Sequence, residues 1–215
     1  MGLLALLRRP IAEDPPPVKR KPKRDLSQED WLKAEEARQL LHAAEEDPRE
    51  YAIISTFLYG GLRCNELRML DLEDYIPASP DRAATIQILH AKGSKTRTVP
   101  IERASAGLEY WLDTRILAKG VEADCPALFR GRQGRLSNRY IREIVKNAGR
   151  RAGLADRVHP HMLRHSYANH LCINGVPIEV VRVLMGHVSI STTQIYLAIP
   201  DESRFEAALR LDFSA

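Results

Sequence analysis

Apolar residues recur at helical spacing in the first part of the sequence. In Ala34–Glu46 they lie three or four positions apart, which places them on one side of a helix. The apolar segment Tyr51–Tyr59 predicts a second helix, which ends at a pair of glycines. A third helix is predicted from about Asn65, before a proline-containing break at Ile76–Pro80. We expect these helices to belong to a core.

The periodicity then becomes alternating. Thr85–Leu89 and Thr96–Ile101 are short β-prone runs on either side of a glycine-containing turn, which predicts a hairpin. The remainder of the chain is patterned as helices. These are predicted at Arg103–Ala118, Asn138–Arg151, Pro160–Ile173, Pro177–Met185, Ser191–Tyr196 and Glu202–Leu211. The predicted fold class is mainly α with a small antiparallel β-sheet.

Composition divides the chain into three parts. Residues 1–25 combine five prolines with many basic side chains, which is typical of a flexible arm. Residues 26–198 contain nearly all the predicted elements and form the predicted folded domain. Residues 199–215 are a tail whose apolar stripe, from Phe205 to Leu211, is too small to fold alone.

Positive charge is concentrated in two stretches. The formal net charge is +4; Lys19–Arg24 carries five cations in six positions, and Arg130–Arg151 carries eight against the single acid Glu143. Such stretches attract polyanions, so nucleic acid becomes a candidate partner, although a solvated surface can have the same composition.

Cysteine usage and hydropathy narrow the class of protein. The cysteines at positions 64, 125 and 172 are far apart, which indicates neither a zinc ribbon nor a disulfide framework and fits a reducing compartment. The apolar run Leu3–Leu7 is too short for the core of a signal peptide, and no other segment is expected to span a bilayer. We therefore expect a cytoplasmic protein without a membrane partner.

Two motifs place an arginine near the start of a predicted helix. Pro160 suits a first helical position, so His161 and Arg164 should project to one side of a helix N-terminus, which attracts anions. Arg63 follows the double glycine and offers a fork of donors. Each motif alone is compatible with a structural role, such as an arginine that caps a turn or pairs with Glu66.

A third motif, LMGHVSISTTQIY, carries a histidine and a tyrosine. It places Gly186 at a helix end, His187 in the next turn and Tyr196 on a short helix. Taken singly, Tyr196 could equally be an ordinary core or surface aromatic residue. His187 could equally be a turn residue whose side chain is hydrogen-bonded to the backbone.

The order and spacing of these motifs resemble the tyrosine recombinase family of integrases, Xer recombinases and DNA invertases over Leu26–Ala198. The resemblance rests on GGLRCNEL, AKGSKTRTVPI, HPHMLRHSYANHL and LMGHVSISTTQIY, which are specific as a set. It implies that family's catalytic-domain fold for residues 26–198. It also implies site-specific recombination of double-stranded DNA, without a metal or a small-molecule cofactor.

The resemblance also gives each matching residue a role. The two phosphate-clamping arginines of the family match Arg63 and Arg164, its two histidines match His161 and His187, and its nucleophile matches Tyr196. Its general-acid lysine matches Lys92 in the hairpin turn, where Lys95 is a further candidate phosphate contact.

Phosphodiester chemistry supports this division of roles. Guanidinium groups stabilise the negative charge that builds on the phosphate oxygens during cleavage. A phenol, with a pKa of about 10, needs a proton acceptor to attack at neutral pH, and His161 is our candidate. The leaving 5′ oxygen needs a proton, which Lys92 could supply. The resulting 3′-phosphotyrosyl bond can be reversed by a 5′-hydroxyl without ATP.

The histidines of the same motif have the spacing of metal ligands but lack the rest of a metal motif. His161 and His165 are four residues apart, as in a helical zinc pair, but Met162 occupies the position of a zincin's glutamate, so no metal site is predicted. We expect His165 and His170 on the helix surface or on the face that meets DNA.

The predicted helix Asn138–Arg151 is a candidate for lying against DNA. Its apolar residues fall on one side, while Arg139, Arg142 and Lys146 point elsewhere and are candidate phosphate contacts. Alternatively, these three basic side chains could simply face solvent without contacting DNA.

The family also suggests how the chain assembles. We expect a homotetramer on two DNA sites, with the 199–215 tail docked on a neighbouring protomer or, alternatively, on its own core. Most members have a helical core-binding domain before the catalytic domain, whereas here only the basic arm precedes it. Three explanations of this short arm remain open. The chain could be a small autonomous recombinase, like the invertases that switch fimbrial expression, or a fragment, or a reduced integrase. A type IB topoisomerase or a catalytically inert DNA-binding relative are the competing functions.

Overall fold

The computed structural model describes residues 30–89, 96–117, 125–186 and 201–213. These ranges are mainly helical with two small antiparallel sheets. The helices are α1 (Ala34–Ala44), α2 (Pro48–Gly60), α3 (Cys64–Met69), α4 (Glu102–Leu117), α5 (Asn138–Arg151), α6 (Pro160–Ile173), α7 (Ile178–Leu184) and α8 (Asp201–Leu209). The strands are β1 (Tyr75–Ile76), β2 (Thr85–Ile88), β3 (Arg97–Pro100), β4 (Arg130–Gly131) and β5 (Gly134–Arg135). The predicted arm and the predicted helix Ser191–Tyr196 lie outside the described residues.

Helix α2 is the centre of the fold. It begins earlier than predicted because Asp47 caps it, accepting hydrogen bonds from the backbone N–H groups of Arg49 and Glu50, and because Pro48 occupies its first turn. Every residue from 52 to 60 is buried, and α1, α4 and α6 pack around the helix. A helix that is apolar on all sides is enclosed by others, as this one is.

The predicted hairpin forms β2 and β3, to which β1 adds a third strand. The order is β1-β2-β3, and Ile86 lies opposite both Tyr75 and Val99. Strand β1 lies at the edge of the predicted break. It was not predicted because two residues are too few to show an alternating pattern. A second hairpin, β4–β5, is equally short: residues 132 and 133 form its turn, and Gly134, the first residue of β5, follows at a φ of 90°.

The described tail packs on the chain's own core, one of its two predicted destinations. Leu211 and Phe213 are buried, and the Phe213 ring lies 5.3 Å from that of Tyr59 and 4.8 Å from that of His170 between centroids. The prediction that His170 lies on a surface was wrong. It is buried because the tail covers it, and its Nε2 lies 2.8 Å from the carbonyl oxygen of Leu32.

Candidate active site

The N-terminus of α6 positions the His-x-x-Arg motif. The His159 side chain accepts a hydrogen bond of 3.1 Å from the backbone N–H of Met162, and Pro160 occupies the first turn. This cap orients the helix so that the His161 ring stays accessible to solvent at the groove while Arg164, one turn later, is buried at 2% exposure. A buried guanidinium requires polar partners, and the structure supplies them.

Arg164 joins three segments of the chain. Its Nη1 donates to the carbonyl oxygen of Gly61, at the end of α2, and its Nη2 donates to that of Met185, after α7. Gly61 adopts a φ of +60°, and a Cβ atom there would meet the Tyr167 ring at 2.7 Å from Cε1. Glycine is therefore needed at this position both for the turn and for the close approach of α6.

Arg63 follows that turn and is the N-cap residue of α3. Its Nη1 lies 2.7 Å from Glu66 Oε1, and its Nη2 donates to the carbonyl oxygen of Gly186 at 3.5 Å. Both site arginines thus hold the backbone at residues 185–186. The sequence immediately after this anchored point is His187.

Three predicted catalytic residues line one open groove of about 640 Å³: Arg63, His161 and Arg164. Arg142, predicted to contact DNA, lines the same groove from α5. The other lining residues are Leu62, Cys64, His159 and Pro160. The other predicted catalytic residues, Lys92, His187 and Tyr196, and the candidate phosphate contact Lys95 lie outside the described residues.

Glu66 contacts more of the site than the sequence motifs indicate. They indicate it only as a partner of Arg63, but its carboxylate also accepts bonds of 2.9 and 2.8 Å from Arg97 of β3 and lies 3.7 Å from Arg164 Nη1. Glu66, Arg97 and Arg164 are all buried. The Arg97 contact spans 31 residues of sequence, so no local motif could indicate it.

The cluster of three arginines around one carboxylate sets the electrostatics of the site. Burial alone would raise the pKa of Glu66, but its bonds to Arg97 and Arg63 outweigh that effect and lower the pKa to about 2. One carboxylate cannot neutralise three guanidinium groups. The groove therefore retains positive charge and is suited to an anion such as phosphate.

His161 is suited to accept a proton at neutral pH. Partial burial, His165 and the nearby Arg164 and Arg63 all lower its pKa, since each disfavours the imidazolium form. Its Nε2 lies 2.9 Å from His165 Nε2, and the ring centroids are 4.3 Å apart. His165 is partly buried beside this ring.

Helix α5 has the two faces that the sequence predicts. Ile141, Val145 and Ala148 are fully buried, whereas Arg139 and Arg142 are exposed. Lys146 differs from those arginines because its Nζ lies 3.3 Å from Asp156 Oδ2 in an exposed ion pair. A DNA strand near α5 would meet two available guanidinium groups and one paired ammonium.

Two absences apply to the described residues alone. In those ranges, no three or more His, Cys, Asp or Glu side chains come together in a way that could hold a metal ion. No helix there has the length and apolar character needed to cross a membrane.

Comparison with known proteins places this geometry in context. Residues 30–203 match the phage integrase family. A tyrosine recombinase XerC of Azotobacter vinelandii is 41% identical over 171 residues, which cover 77% of this chain and 54% of the relative. The chain thus spans about half the length of the curated relatives that it matches.

Solved structures show the same fold. The crystal structure of XerA recombinase aligns with a TM-score of 0.66 at 32% identity, covering 84% of this chain and 64% of XerA. XerH site-specific recombinase, in a pre-cleavage complex with difH substrate, aligns with a TM-score of 0.63 at 26% identity, covering 78% and 50% of the two chains. The predicted fold class is confirmed.

Proposed function

We propose that this chain, which belongs to the phage integrase family, is a site-specific DNA recombinase. It would cleave and rejoin double-stranded DNA through Tyr196. The observation that carries the proposal is the convergence of Arg63, His161 and Arg164 on one positively charged groove. Residues 26–198 would form the catalytic domain.

In this mechanism the two arginines bind the scissile phosphate. Arg164 is held by backbone carbonyls on both sides and Arg63 by Glu66, so their guanidinium groups are fixed before DNA arrives. Donors that need no reorganisation stabilise the charge that develops in the transition state, which contributes about 10²- to 10³-fold in rate per donor.

Proton transfers complete the step. The Tyr196 hydroxyl gives its proton to His161, its oxygen bonds to phosphorus, and the bond to the 5′ oxygen breaks. Lys92 supplies a proton to that leaving oxygen, and His187 binds the same phosphate. Attack by a 5′-hydroxyl of a second strand reverses these transfers and forms the recombinant bond.

Double-stranded DNA is the proposed partner, and XerH, a site-specific recombinase of known structure, is described as bound to difH substrate. Arg139, Arg142, Lys146 and, in the hairpin turn, Lys95 are the proposed phosphate contacts beyond the active site. Four protomers would act on two DNA sites. Light scattering of DNA complexes with and without the residues after Asp201 tests whether the tail contributes to that assembly, and unchanged assembly would refute an exchanged tail.

The main experiment selects the DNA target and the covalent intermediate together. The chain is incubated with duplexes that carry a randomised core and a nick, so that cleavage releases a short fragment and traps any covalent intermediate. Protein-linked DNA is recovered under denaturing conditions and sequenced. We expect a single enriched motif with the wild type and none with Tyr196→Phe, which retains the aromatic ring.

Two further assays separate the alternatives. A recombinase joins two distinct duplexes that carry the selected motif, whereas a type IB topoisomerase relaxes supercoiled DNA and religates the same strand. An inert relative would shift DNA in a gel but give no covalent product. Either of these results in place of joining would refute the proposal.

A further inference from the structure

A pair of histidines on α6 has the geometry of a chelating site. His161 and His165 are one helical turn apart, and their Nε2 atoms, the outermost nitrogens of the rings, lie 2.9 Å from each other. Neither nitrogen of this pair is turned towards a backbone carbonyl in the contacts that the structure shows for them. Two imidazole nitrogens that face one point can share a metal ion as well as a proton.

The spacing selects the kind of ion. With metal–nitrogen bonds of about 2.05 Å, two nitrogens at this separation subtend about 90° at the metal. Tetragonal and octahedral ions have ligand positions at that angle, whereas tetrahedral zinc prefers wider ones. Copper(II) and nickel(II) also stand high in the affinity order of divalent ions for nitrogen ligands.

We propose that His161 and His165 bind a divalent transition-metal ion with ligand positions at right angles, copper(II) or nickel(II), through their Nε2 atoms. The remaining positions on the ion are filled by water. Binding requires the ring that carries its proton on Nε2 to move it to Nδ1, so no proton is lost overall. This proposal departs from the sequence-based expectation that the chain has no metal site.

The charges around the pair act in opposite directions. The negative charge of Asp30 favours a cation at both rings, whereas the positive charge of Arg164 disfavours one. Partial burial keeps both imidazoles in the neutral form that binds metals, since it lowers the pKa of each. We therefore expect reversible binding of a single ion rather than a structural metal centre.

An ion at this site would also affect the reaction, and this part rests on the proposed function. A metal on Nε2 of His161 occupies the lone pair that faces His165 and adds a positive charge beside the ring. Both effects oppose acceptance of the proton from Tyr196. The ion would act as a reversible inhibitor that a chelator removes.

Binding is tested by calorimetric titration of the full chain with nickel(II) chloride, which does not oxidise the cysteines. We expect one equivalent to bind to the wild type, and His165→Ala and His161→Ala each to weaken binding at least tenfold. The matched control is His42→Ala, because the exposed His42 ring lies 3.1 Å from Glu45 and forms a rival pair of ligands on α1. It should change the affinity less than twofold.

The two parts of the proposal can fail separately. Unchanged affinity in both His165→Ala and His161→Ala, in protein whose circular dichroism matches the wild type, would overturn the site, as would loss of binding in His42→Ala. If nickel binds as expected but leaves the rate of covalent DNA adduct formation unaltered in the wild type, the inhibitory role is wrong. Absence of any adduct without nickel refutes the proposed function and leaves the binding result standing.

Discussion

Replacing Glu66 with glutamine removes the only carboxylate that the described residues place among Arg63, Arg97 and Arg164. The substitution keeps the shape of the side chain, so its main effect is on charge. Arg97 and Arg164 are only 6% and 2% exposed, so water cannot solvate their charges when the carboxylate is removed. We expect a folded but clearly less stable protein.

The size of the effect follows from the pKa of Glu66. A fall from 4.5 in the unfolded chain to about 2 in the folded protein corresponds to about 3 kcal/mol of stabilisation. Breaking a buried ion pair by removal of one partner has a similar cost, about 3–5 kcal/mol. Because folding lowers this pKa, the stabilisation is complete above pH 4.5 and is lost as the pH falls towards 2.

Urea denaturation of both proteins measures this difference directly. The free energy of unfolding of Glu66→Gln should be lower by about 3 kcal/mol at pH 7, and the gap should narrow by about 1 kcal/mol at pH 4. The control is Glu35→Gln, since Glu35 makes the same i,i+3 ion pair with Arg38, at 3.0 Å, on the surface. It should cost less than about 0.5 kcal/mol. A loss below about 1 kcal/mol in Glu66→Gln, or no dependence on pH, would show that the Glu66 carboxylate does not stabilise the buried arginines to this extent.

Three further predictions concern the turn, the DNA contacts and the proton acceptor. Gly61→Ala should lower the free energy of unfolding by at least about 2 kcal/mol, because strain at a φ of +60° adds to the clash with Tyr167. Gly153→Ala, at a φ of +74° with open space around it, should cost about 1 kcal/mol in the same assay, and equal losses would exclude the clash. Replacing Arg139 and Arg142 together with alanine should weaken DNA binding and reduce the slope of log affinity against log salt by about 1.8, whereas Arg38→Ala should leave the slope unchanged. The rate of covalent adduct formation should hold between pH 8 and 6.5 and decline only at lower pH, because the pKa of His161 lies below its usual 6.5. A decline that begins near pH 8 would contradict the assignment of this acceptor.

The sequence was sufficient for those features whose causes are local. The helix at Asn138–Arg151 has its predicted bounds because Ser137 caps it and its apolar residues keep a helical period. The groove residues Arg63, His161 and Arg164 were found because each lies beside a glycine turn or a capped helix start, which are short-range signals. Their meeting in one groove could be inferred only from the resemblance to a family.

Features that depend on distant contacts could not be predicted. Arg97 reaches Glu66 from a strand whose predicted role was only to pair with its neighbour. His170 has the polar character of a surface residue, but Phe213, 43 positions later, covers it. The cap by His159 was missed because histidine is not among the residues that usually begin a helix.

The proposed role of Tyr196 is tested by identifying the residue that becomes covalently bound to DNA. The covalent adduct formed on a nicked duplex is treated with nuclease and trypsin, and the fragment Val183–Arg204, which no other arginine or lysine interrupts, is sequenced by mass spectrometry. The proposed mechanism predicts a nucleotide joined through its 3′ phosphate to Tyr196. A nucleotide on another residue, or DNA binding with no adduct on the enriched motif, would contradict it.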